Sequence, residues 1–274
     1  MFGPTYNVDV QSHGSLQNPA YLAQATESYI QNQTGILTNV GGDFIGKLNR
    51  RSTKTIGKWP YLPRGFVAFA KLPPNSTSAT TRKDLDVAFG SDWPDIELLC
   101  FDGYAGYNRD LLGDAPKDGK NYAAAFVALV APFSRGNVTI VSNDTSVNPT
   151  VNPNWLADAR DQEAAVAAFK TARSVFQTKA MQPIVIGSEV FPGLNVSTDE
   201  QIMSLIRQSA LTPYHAAGSN AMGSPNDSMA VIDSSARVIG VKGLRVVDAS
   251  SFPILPPGHP QATVCKQMIQ PSTL

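Results

Sequence analysis

Three stretches of the chain repeat apolar residues at the spacing of a helix with one apolar face. The first covers residues 18–33, where Asn18 can cap the helix start. The second covers residues 158–179 and places alanine, valine and phenylalanine side chains on one stripe. The third begins at Thr198, whose hydroxyl can form a capping box with the side chain of Gln201. The pattern therefore predicts three helices that pack against a core.

Shorter runs of apolar and β-branched residues predict strands. Ile96–Phe101 is one such run, and residues 122–132 together with 137–142 predict an antiparallel hairpin. The Ser/Thr-rich stretch 76–83 predicts an exposed loop. After the third helix we expect three short strands, over residues 229–232, 237–241 and 244–248.

The order of these elements is helix, strands, hairpin, two helices and strands, without regular alternation of strand and helix. It predicts an α+β fold in which helices cover one face of an antiparallel sheet. The chain has 274 residues, 42% of them hydrophobic, so it is long enough for one large domain or two small ones. Its only cysteines, Cys100 and Cys265, exclude a disulfide framework. One bridge between them stays open as an alternative, and two buried thiols are the favoured interpretation.

The charge balance excludes several classes of function. Lys and Arg number 22, as do Asp and Glu, which leaves no net charge. Such a chain lacks the basic surface that binds nucleic acid or an anionic membrane, and no apolar run reaches the ~18 residues of a membrane span. We expect no metal either: the three histidines are dispersed, and the acidic residues between Asp84 and Glu97 lack calcium-loop spacing and are typical of a solvated loop.

The cellular location has opposing indications. The first residues lack the basic and apolar segments of a signal peptide, which predicts a cytoplasmic location. However, the chain carries six Asn-X-Ser/Thr acceptor sequences for N-glycosylation, where roughly two or three are expected by chance. This excess indicates a secreted ancestry. The six asparagines are Asn32, Asn75, Asn137, Asn143, Asn195 and Asn226.

Histidine is the side chain with the clearest chemical potential. His215 and His259 both lie among glycines and prolines, which shape the backbone tightly. Imidazole is the usual general acid or base near neutral pH, yet a histidine in such a loop is more often only hydrogen-bonded, so both interpretations stay open. His13 either lines a pocket or lies in an exposed loop, and the loop is favoured.

Three segments of the chain form a recognisable pattern. Residues 214–223 contain Tyr-His-x-x-Gly-Ser-x-x-Met-Gly, residues 243–250 contain Gly-Leu-Arg-Val-Val-Asp-Ala-Ser, and residues 259–263 contain His-Pro-Gln-x-Thr. This pattern closely resembles the C-terminal signature of the glucose-methanol-choline (GMC) flavin oxidoreductases, especially of the fungal branch. Residues 132–142 resemble a segment of the family's substrate domain. The resemblance covers nearly the whole chain.

The resemblance implies roles for particular residues. In that family, a histidine that matches His215 and a histidine or asparagine that matches His259 face the flavin ring and handle the proton of the substrate hydroxyl. This implies that His215 is the catalytic base and His259 its hydrogen-bonding partner. It further implies substrate binding by Tyr214, Asn220 and Gln261. If another polypeptide supplies FAD, it implies flavin contacts from Asp248, Ala249 and Pro260.

The chain also departs from the family. Members are much longer, and an N-terminal domain holds their FAD through a Gly-x-Gly-x-x-Gly loop. No such loop occurs in this sequence. We therefore expect a substrate-domain-like region over residues 1–242, and over 243–274 a segment that in the family packs into the FAD domain and here leaves remnant strands. We expect no cofactor on this chain alone, and FAD only if another polypeptide completes it.

Three functions remain as hypotheses. The first, narrowly favoured, is an FAD-independent and redox-neutral enzyme that uses histidine acid–base catalysis for cyclisation, dehydration or isomerisation of a hydroxylated or phenolic secondary metabolite. The second is the C-terminal half of an FAD-dependent alcohol oxidase or dehydrogenase. The third is a non-catalytic binding remnant. Because unpaired strand edges around residues 244–248 would seek partners, we also expect a homodimer.

Overall fold

A computed structural model describes residues 1–38, 67–107 and 114–269. The chain folds into two compact units, and each consists of two separate stretches of sequence. The first unit combines Met1–Ala131 with Gln162–Leu211, and the second combines Pro132–Asp161 with Thr212–Leu274. The division expected between residues 242 and 243 separates two regions by their resemblance to the family and not by compactness. It stays a prediction.

Within the described ranges the chain forms seven strands and five α-helices. The strands are β1 (Thr5–Val8), β2 (Val67–Ala70), β3 (Ile96–Phe101), β4 (Tyr122–Leu129), β5 (Asn137–Thr139), β6 (Thr150–Asn152) and β7 (Val185–Phe191). The helices are α1 (Pro19–Asn32), α2 (Ala79–Phe89), α3 (Ala159–Val175), α4 (Asp199–Ser209) and α5 (Gln261–Ile269). None of these helices is long and apolar enough to cross a membrane.

The first unit is built on a five-stranded antiparallel sheet with the strand order β2-β3-β4-β1-β7. Strand β4 lies at its centre, where Phe126 pairs with Leu99 of β3 and Ala123 pairs with Tyr6 of β1. Seven of the eight β4 residues are buried. A run of alanine, valine and phenylalanine therefore forms a strand that is covered on both faces.

The hairpin expected from residues 122–132 and 137–142 is wrong. Strand β4 pairs with β1 and β3, whereas β5 pairs with β6 in a separate two-stranded ribbon, with Val138 opposite Val151. Burial explains the difference: β4 needs neighbours on both edges and both faces, but every residue of β5 is exposed. The sequence between the two strands also lacks a two-residue hairpin turn.

The three predicted helices are confirmed. The side chain of Asn18 accepts hydrogen bonds from the first turn of α1, and Thr198 and Gln201 form a capping box at the start of α4. Helix α3 ends at Val175, four residues before the predicted end, and turns follow it.

The loop expected over residues 76–83 is wrong, because most of that stretch belongs to α2. Ser78 caps this helix by accepting a hydrogen bond from the Thr81 backbone. Thr81 and Leu85, one helical turn apart, are both 3% exposed and form its inner face. A serine and threonine composition typical of loops therefore masked a cap followed by an amphipathic helix.

The acidic residues between Asp84 and Glu97 do not form a solvated loop either. They extend over α2 and into β3, and Asp95 is buried. Arg82 donates to both Asp95 oxygens, at 2.6 and 3.0 Å, and Lys71 lies 3.1 Å from the same carboxylate. Burial by itself would raise the pKa of Asp95, but hydrogen bonds from Arg82, the Leu72 backbone and Lys71 outweigh it and hold the pKa below its ordinary value.

Helix α3 and the turn after it cover one face of the sheet. The ring of Phe176 stacks on Tyr6 of β1 with 4.3 Å between centroids. Arg173 of α3 binds both carboxylate oxygens of Glu189 in β7 at 2.6 Å, and the Tyr6 hydroxyl donates to the same carboxylate at 3.0 Å. Burial, and next the Glu189 charge, raise the pKa of Tyr6 well above its usual range. The predicted α+β class, with an antiparallel sheet and helices, is confirmed.

The second unit contains little regular structure besides α5 and the β5–β6 ribbon. The strands expected over 229–248 appear only as single bridges: Ile232 pairs with Met222 and with Val238, and Arg237 pairs with Arg245. The glycine at position 240 has a φ of +82° and the one at 243 a φ of +77°, so the backbone turns where a strand would continue. These segments are therefore short pieces of ladder and not full strands.

The described part of the second unit buries few large apolar side chains. Ile232 and Phe252 are buried, together with the small Ala236. In contrast, many large apolar side chains of this unit are exposed, a balance unusual for a self-contained unit. They are Val138, Ile140, Val141, Val147, Val151, Trp155, Tyr214, Met229, Val241, Leu244 and Ile254.

The two cysteines are both free. Cys100 is buried in β3, and Cys265 is exposed on α5. The favoured interpretation of two buried thiols is therefore wrong for Cys265, because this residue lies on the outer face of its helix. Burial raises the pKa of the Cys100 thiol to about 12, so this thiol stays protonated and unreactive at neutral pH.

Candidate active site

A short backbone ladder in the second unit positions the segment that carries His215. Residues 218–222 lie alongside residues 249–251, and Gly218 has a φ of +84° where the ladder begins. The hydrogen bonds run from Gly218 to Ala249 at 3.2 Å, from Asn220 to Ser250 at 2.9 Å and from Met222 to Ser251 at 2.9 Å. The ladder thus holds two loops together. The position of His215 depends on this contact between loops and not on a helix or strand.

His259 lies at the start of α5. The glycine before it, at position 258, is buried with a φ of +97°, a conformation that favours glycine. The carbonyl oxygen of Pro260 accepts the hydrogen bond from Val264 at 2.9 Å, the first bond of the helix. The Gly-His-Pro sequence therefore turns the chain sharply and presents the imidazole just before the helix.

The two imidazoles contact each other directly. His215 Nε2 lies 3.1 Å from His259 Nδ1, and the rings meet edge to face at 79° with 4.7 Å between centroids. A hydrogen bond between two imidazoles needs one N–H and one lone pair, so the contact requires at least one neutral ring. His215 is half-buried and His259 is exposed. The structure thus brings together two residues that are 44 positions apart.

The backbone beside this pair adopts an unfavourable conformation. Tyr214 has a φ of +62°, in the left-handed region, which costs a residue other than glycine about 1–2 kcal/mol. Its amide donates to the Thr212 hydroxyl at 2.9 Å, which helps to hold the turn. Strained residues of this kind cluster at functional sites. The turn sets the direction in which the chain enters His215.

The other predicted site residues lie in the same unit, and their functional roles stay predictions. The Asn220 amide donates to the Ser250 hydroxyl at 2.9 Å, and Asp248 caps the turn at Ala249–Ser251. Tyr214 and Gln261 are exposed, whereas Ala249 and Pro260 are half-buried. Asn220 and Asp248 therefore have a local structural role besides any contact with substrate or flavin.

Sequence reasoning missed a second histidine contact, in the first unit. His13 Nδ1 lies 2.6 Å from the carboxylate of Asp102, which is fully buried. The His13 ring also stacks on Phe101 at 6.0 Å. The interpretation of His13 as an exposed loop residue is wrong. Strands β1 and β3 are both antiparallel to β4, so they run in the same direction and finish at the same end of the sheet. The residues that follow them meet there.

The described residues fit the flavin ring of FAD but not its pyrophosphate. The first turn of α5 follows the histidine pair and is exposed at positions 261–263, and backbone N–H groups at a helix start have no partner within the helix. Such donors suit the carbonyl edge of a flavin ring. However, the sequence has no glycine-rich loop that could hold the pyrophosphate. These residues by themselves therefore do not fit the nucleotide part of FAD.

Comparisons with known proteins agree with this description. The family model described as GMC oxidoreductase matches residues 132–266. Patulin synthase of Aspergillus clavatus is 45% identical over 268 residues, which are 96% of this chain and 39% of that protein. Versicolorin B synthase of Aspergillus parasiticus is 41% identical over 266 residues, 96% of this chain and 36% of that protein. The chain spans about two fifths of the length of these curated relatives.

Solved structures share the fold. A formate oxidase superposes with a TM-score of 0.75 at 22% identity, over 98% of this chain and 44% of the other. An FAD-dependent oxidoreductase from Chaetomium thermophilum superposes with a TM-score of 0.67 at 20% identity, over 98% of this chain and 46% of the other. Together with the family match and the histidine motifs, these similarities lead to one conclusion: the chain belongs to the GMC oxidoreductase family and corresponds to the C-terminal part of its members.

Proposed function

We propose that this chain supplies the proton-handling part of a GMC-type active site, and that an FAD-binding polypeptide completes it. The substrate proposed is a hydroxylated or phenolic secondary metabolite. The observation that carries the proposal is the direct contact between His215 and His259, at 3.1 Å on a solvent-accessible surface. Two imidazoles held in this way can take up a hydroxyl proton and retain it.

The contact suggests how the proton is handled. If His215 is the base, its Nδ1 must carry the lone pair, because Nε2 is engaged with His259. Nε2–H then donates to Nδ1 of His259. When Nδ1 takes the proton from the substrate hydroxyl, the charge on His215 strengthens that donated hydrogen bond. His259 therefore acts as a positioning residue that holds the ring of His215 in place.

The exposed surface of the second unit supports completion by another polypeptide. The side chain of Ile140 is 82% exposed and that of Val151 is 61% exposed, and water around an open histidine pair weakens its electrostatic effect. A polypeptide that covered the histidine pair as well as these side chains would exclude water from the pair. Bound there, FAD would supply the acceptor for the hydride that leaves the substrate carbon.

A second candidate function is redox-neutral acid–base catalysis without flavin. It is supported by the fact that both members of the pair belong to this chain, so that proton transfer needs no group from elsewhere. The names of the relatives favour neither candidate, since they include synthases, an oxidoreductase and a dehydrogenase. The non-catalytic remnant remains the outcome if neither activity is found.

Flavin binding separates the two candidate functions. The chain alone, mixed with FAD, should stay colourless, because it lacks a pyrophosphate loop. Adding the part of patulin synthase that this chain does not match should give a complex with the visible absorption of bound flavin. The measurement is an absorbance spectrum after gel filtration. A stoichiometric yellow complex of the chain alone would contradict the proposal, and substrate turnover without flavin would establish the second candidate.

We also propose that the uncompleted chain self-associates into a homodimer. Exposed apolar side chains such as Ile140 and Met229, which are 82% and 79% exposed, gain free energy when they are buried against a second copy. Sedimentation at micromolar concentration should report a dimer, and replacing Ile140 by aspartate should shift it towards monomer. A monomer at all concentrations would refute this expectation. The cytoplasmic location likewise stays a prediction.

A further inference from the structure

The six Asn-X-Ser/Thr sequences have no part in the proposed catalytic function. All six asparagines fall in the described part of the chain, and all six are exposed. N-linked glycans are bulky and hydrophilic, so they are compatible only with surface positions. The fold therefore leaves every one of these sequences accessible for modification.

The reactive atom of these asparagines is also available. An N-glycan is attached to the side-chain nitrogen Nδ2, and among the described residues no hydrogen bond is donated by Nδ2 of any of the six. Other asparagines of the chain do use this atom: Asn154 donates to the Arg135 carbonyl at 3.0 Å, and Asn220 donates to the Ser250 hydroxyl at 2.9 Å. Asparagines with a structural role are thus distinct from those in acceptor sequences.

Asn75 has the most favourable surroundings. It lies in the connection between β2 and α2, with a φ of +64° in the left-handed region that asparagine tolerates better than most residues. Asn75 and Thr77, the acceptor hydroxyl residue, line a shallow depression together with Arg82, Asp86 and Val87. Val87 is 78% exposed. Charged groups beside an apolar side chain suit a sugar ring, which has hydroxyls at its rim and an apolar face.

The remaining sequences differ in their location. Asn195 lies in the connection between β7 and α4, just after a glycine with a φ of +92° at position 193. By contrast, Asn32 is the last residue of α1 and Asn137 the first residue of β5. Connections tolerate an added group better than regular elements do. Asn143 and Asn226 also lie in connections, but they belong to the second unit, whose exposed surface we propose to be covered by another polypeptide. Asn195, in the first unit, is therefore the second-best acceptor.

We propose that Asn75 is an N-glycosylation site that is used in the lumen of a eukaryotic secretory pathway, and that Asn195 is the second preferred site. The donor is a lipid-linked oligosaccharide pyrophosphate. The bond between the anomeric carbon and the pyrophosphate oxygen breaks, a bond from that carbon to Nδ2 forms, the amide loses one proton, and the lipid pyrophosphate leaves. No oxidation or reduction takes place. This proposal competes with the cytoplasmic location expected from the first residues.

The test is to produce the whole chain in fungal cells behind a cleavable secretion leader and to map glycopeptides by mass spectrometry. We expect a glycan on Asn75 that an N-glycan-releasing enzyme removes. Asn75→Gln and Thr77→Ala should each lose this glycan, whereas Thr77→Ser should retain it. Asn148 is the matched control, because the proline at position 149 follows it and should leave it unmodified.

The contrary result is equally clear. If chain recovered from the lumen, with its leader removed, carries an unmodified Asn75, the proposal is wrong, even if other positions carry sugar. Thermal unfolding of the glycosylated and the enzymatically deglycosylated chain completes the test. The two midpoints should coincide, since the glycan lies on an exposed turn. A large loss of stability in the glycosylated form would contradict the assignment.

Discussion

Replacing His215 by alanine should lower kcat by about 10² or more, in whichever form of the protein turns over substrate. The alanine removes the only nitrogen that we assign as base, and water is a poor substitute. Replacing His259 by asparagine should cost less, about tenfold, because the amide oxygen can still accept the hydrogen bond from His215 Nε2. Steady-state kinetics on the two variants and on the double variant measure both effects.

The controls separate catalysis from folding. Both histidines lie at an accessible surface, so their replacement should leave the thermal midpoint nearly unchanged. Lys242→Ala, an exposed change in the same unit, should have no effect on kcat. If His215→Ala retains full activity per folded molecule, the assignment of the base is wrong. If His259→Asn is as inactive as His215→Ala, then His259 does more than position its partner.

Replacing Glu189 by alanine should destabilise the first unit by about 3–5 kcal/mol. The Glu189 side chain is fully buried, and the Arg173 side chain is 13% exposed. Alanine would leave the Arg173 guanidinium without its carboxylate and the Tyr6 hydroxyl without its acceptor. The free energy of unfolding, obtained from denaturant titration, measures this loss. Since Glu189→Ala is severe, Glu189→Gln provides a milder test, with a smaller loss in the same direction.

An exposed ion pair of the same unit provides the matched control. Lys170 and Asp199 lie 2.5 Å apart, but their side chains are 50% and 64% exposed. Exposed pairs contribute about 0–1 kcal/mol, so Lys170→Ala should change stability little. Similar losses for Lys170→Ala and Glu189→Ala would refute the view that burial makes the Arg173 pair important.

Local signals in the sequence predicted the helices well. The cap at Asn18 and the capping box of Thr198 and Gln201 act within one helical turn, so the sequence contains all that is needed to recognise them. Helix α2 was missed because Ser78 and Thr81 have the composition of a loop, although one caps the helix and the other is buried in it. A cap and a loop use the same residue types.

Non-local pairing explains the remaining errors. Strand β1 has only four residues, and its place between β4 and β7 depends on partners more than a hundred residues away. The contact of His13 with Asp102 depends on that same strand order. The pairing of His215 with His259 was anticipated only through the resemblance to a family, since neither segment has the periodicity of a helix or strand.

The interleaving of the two units constrains how the chain can be divided. Residues 132–161 belong to the second unit but interrupt the first, and residues 162–211 return to the first. The boundary between the two stretches, at residues 161 and 162, lies inside helix α3. No single proteolytic cut can therefore separate the two units from each other. A gene fragment that encodes the whole first unit must also encode residues 132–161, and one that encodes the whole second unit must also encode residues 162–211.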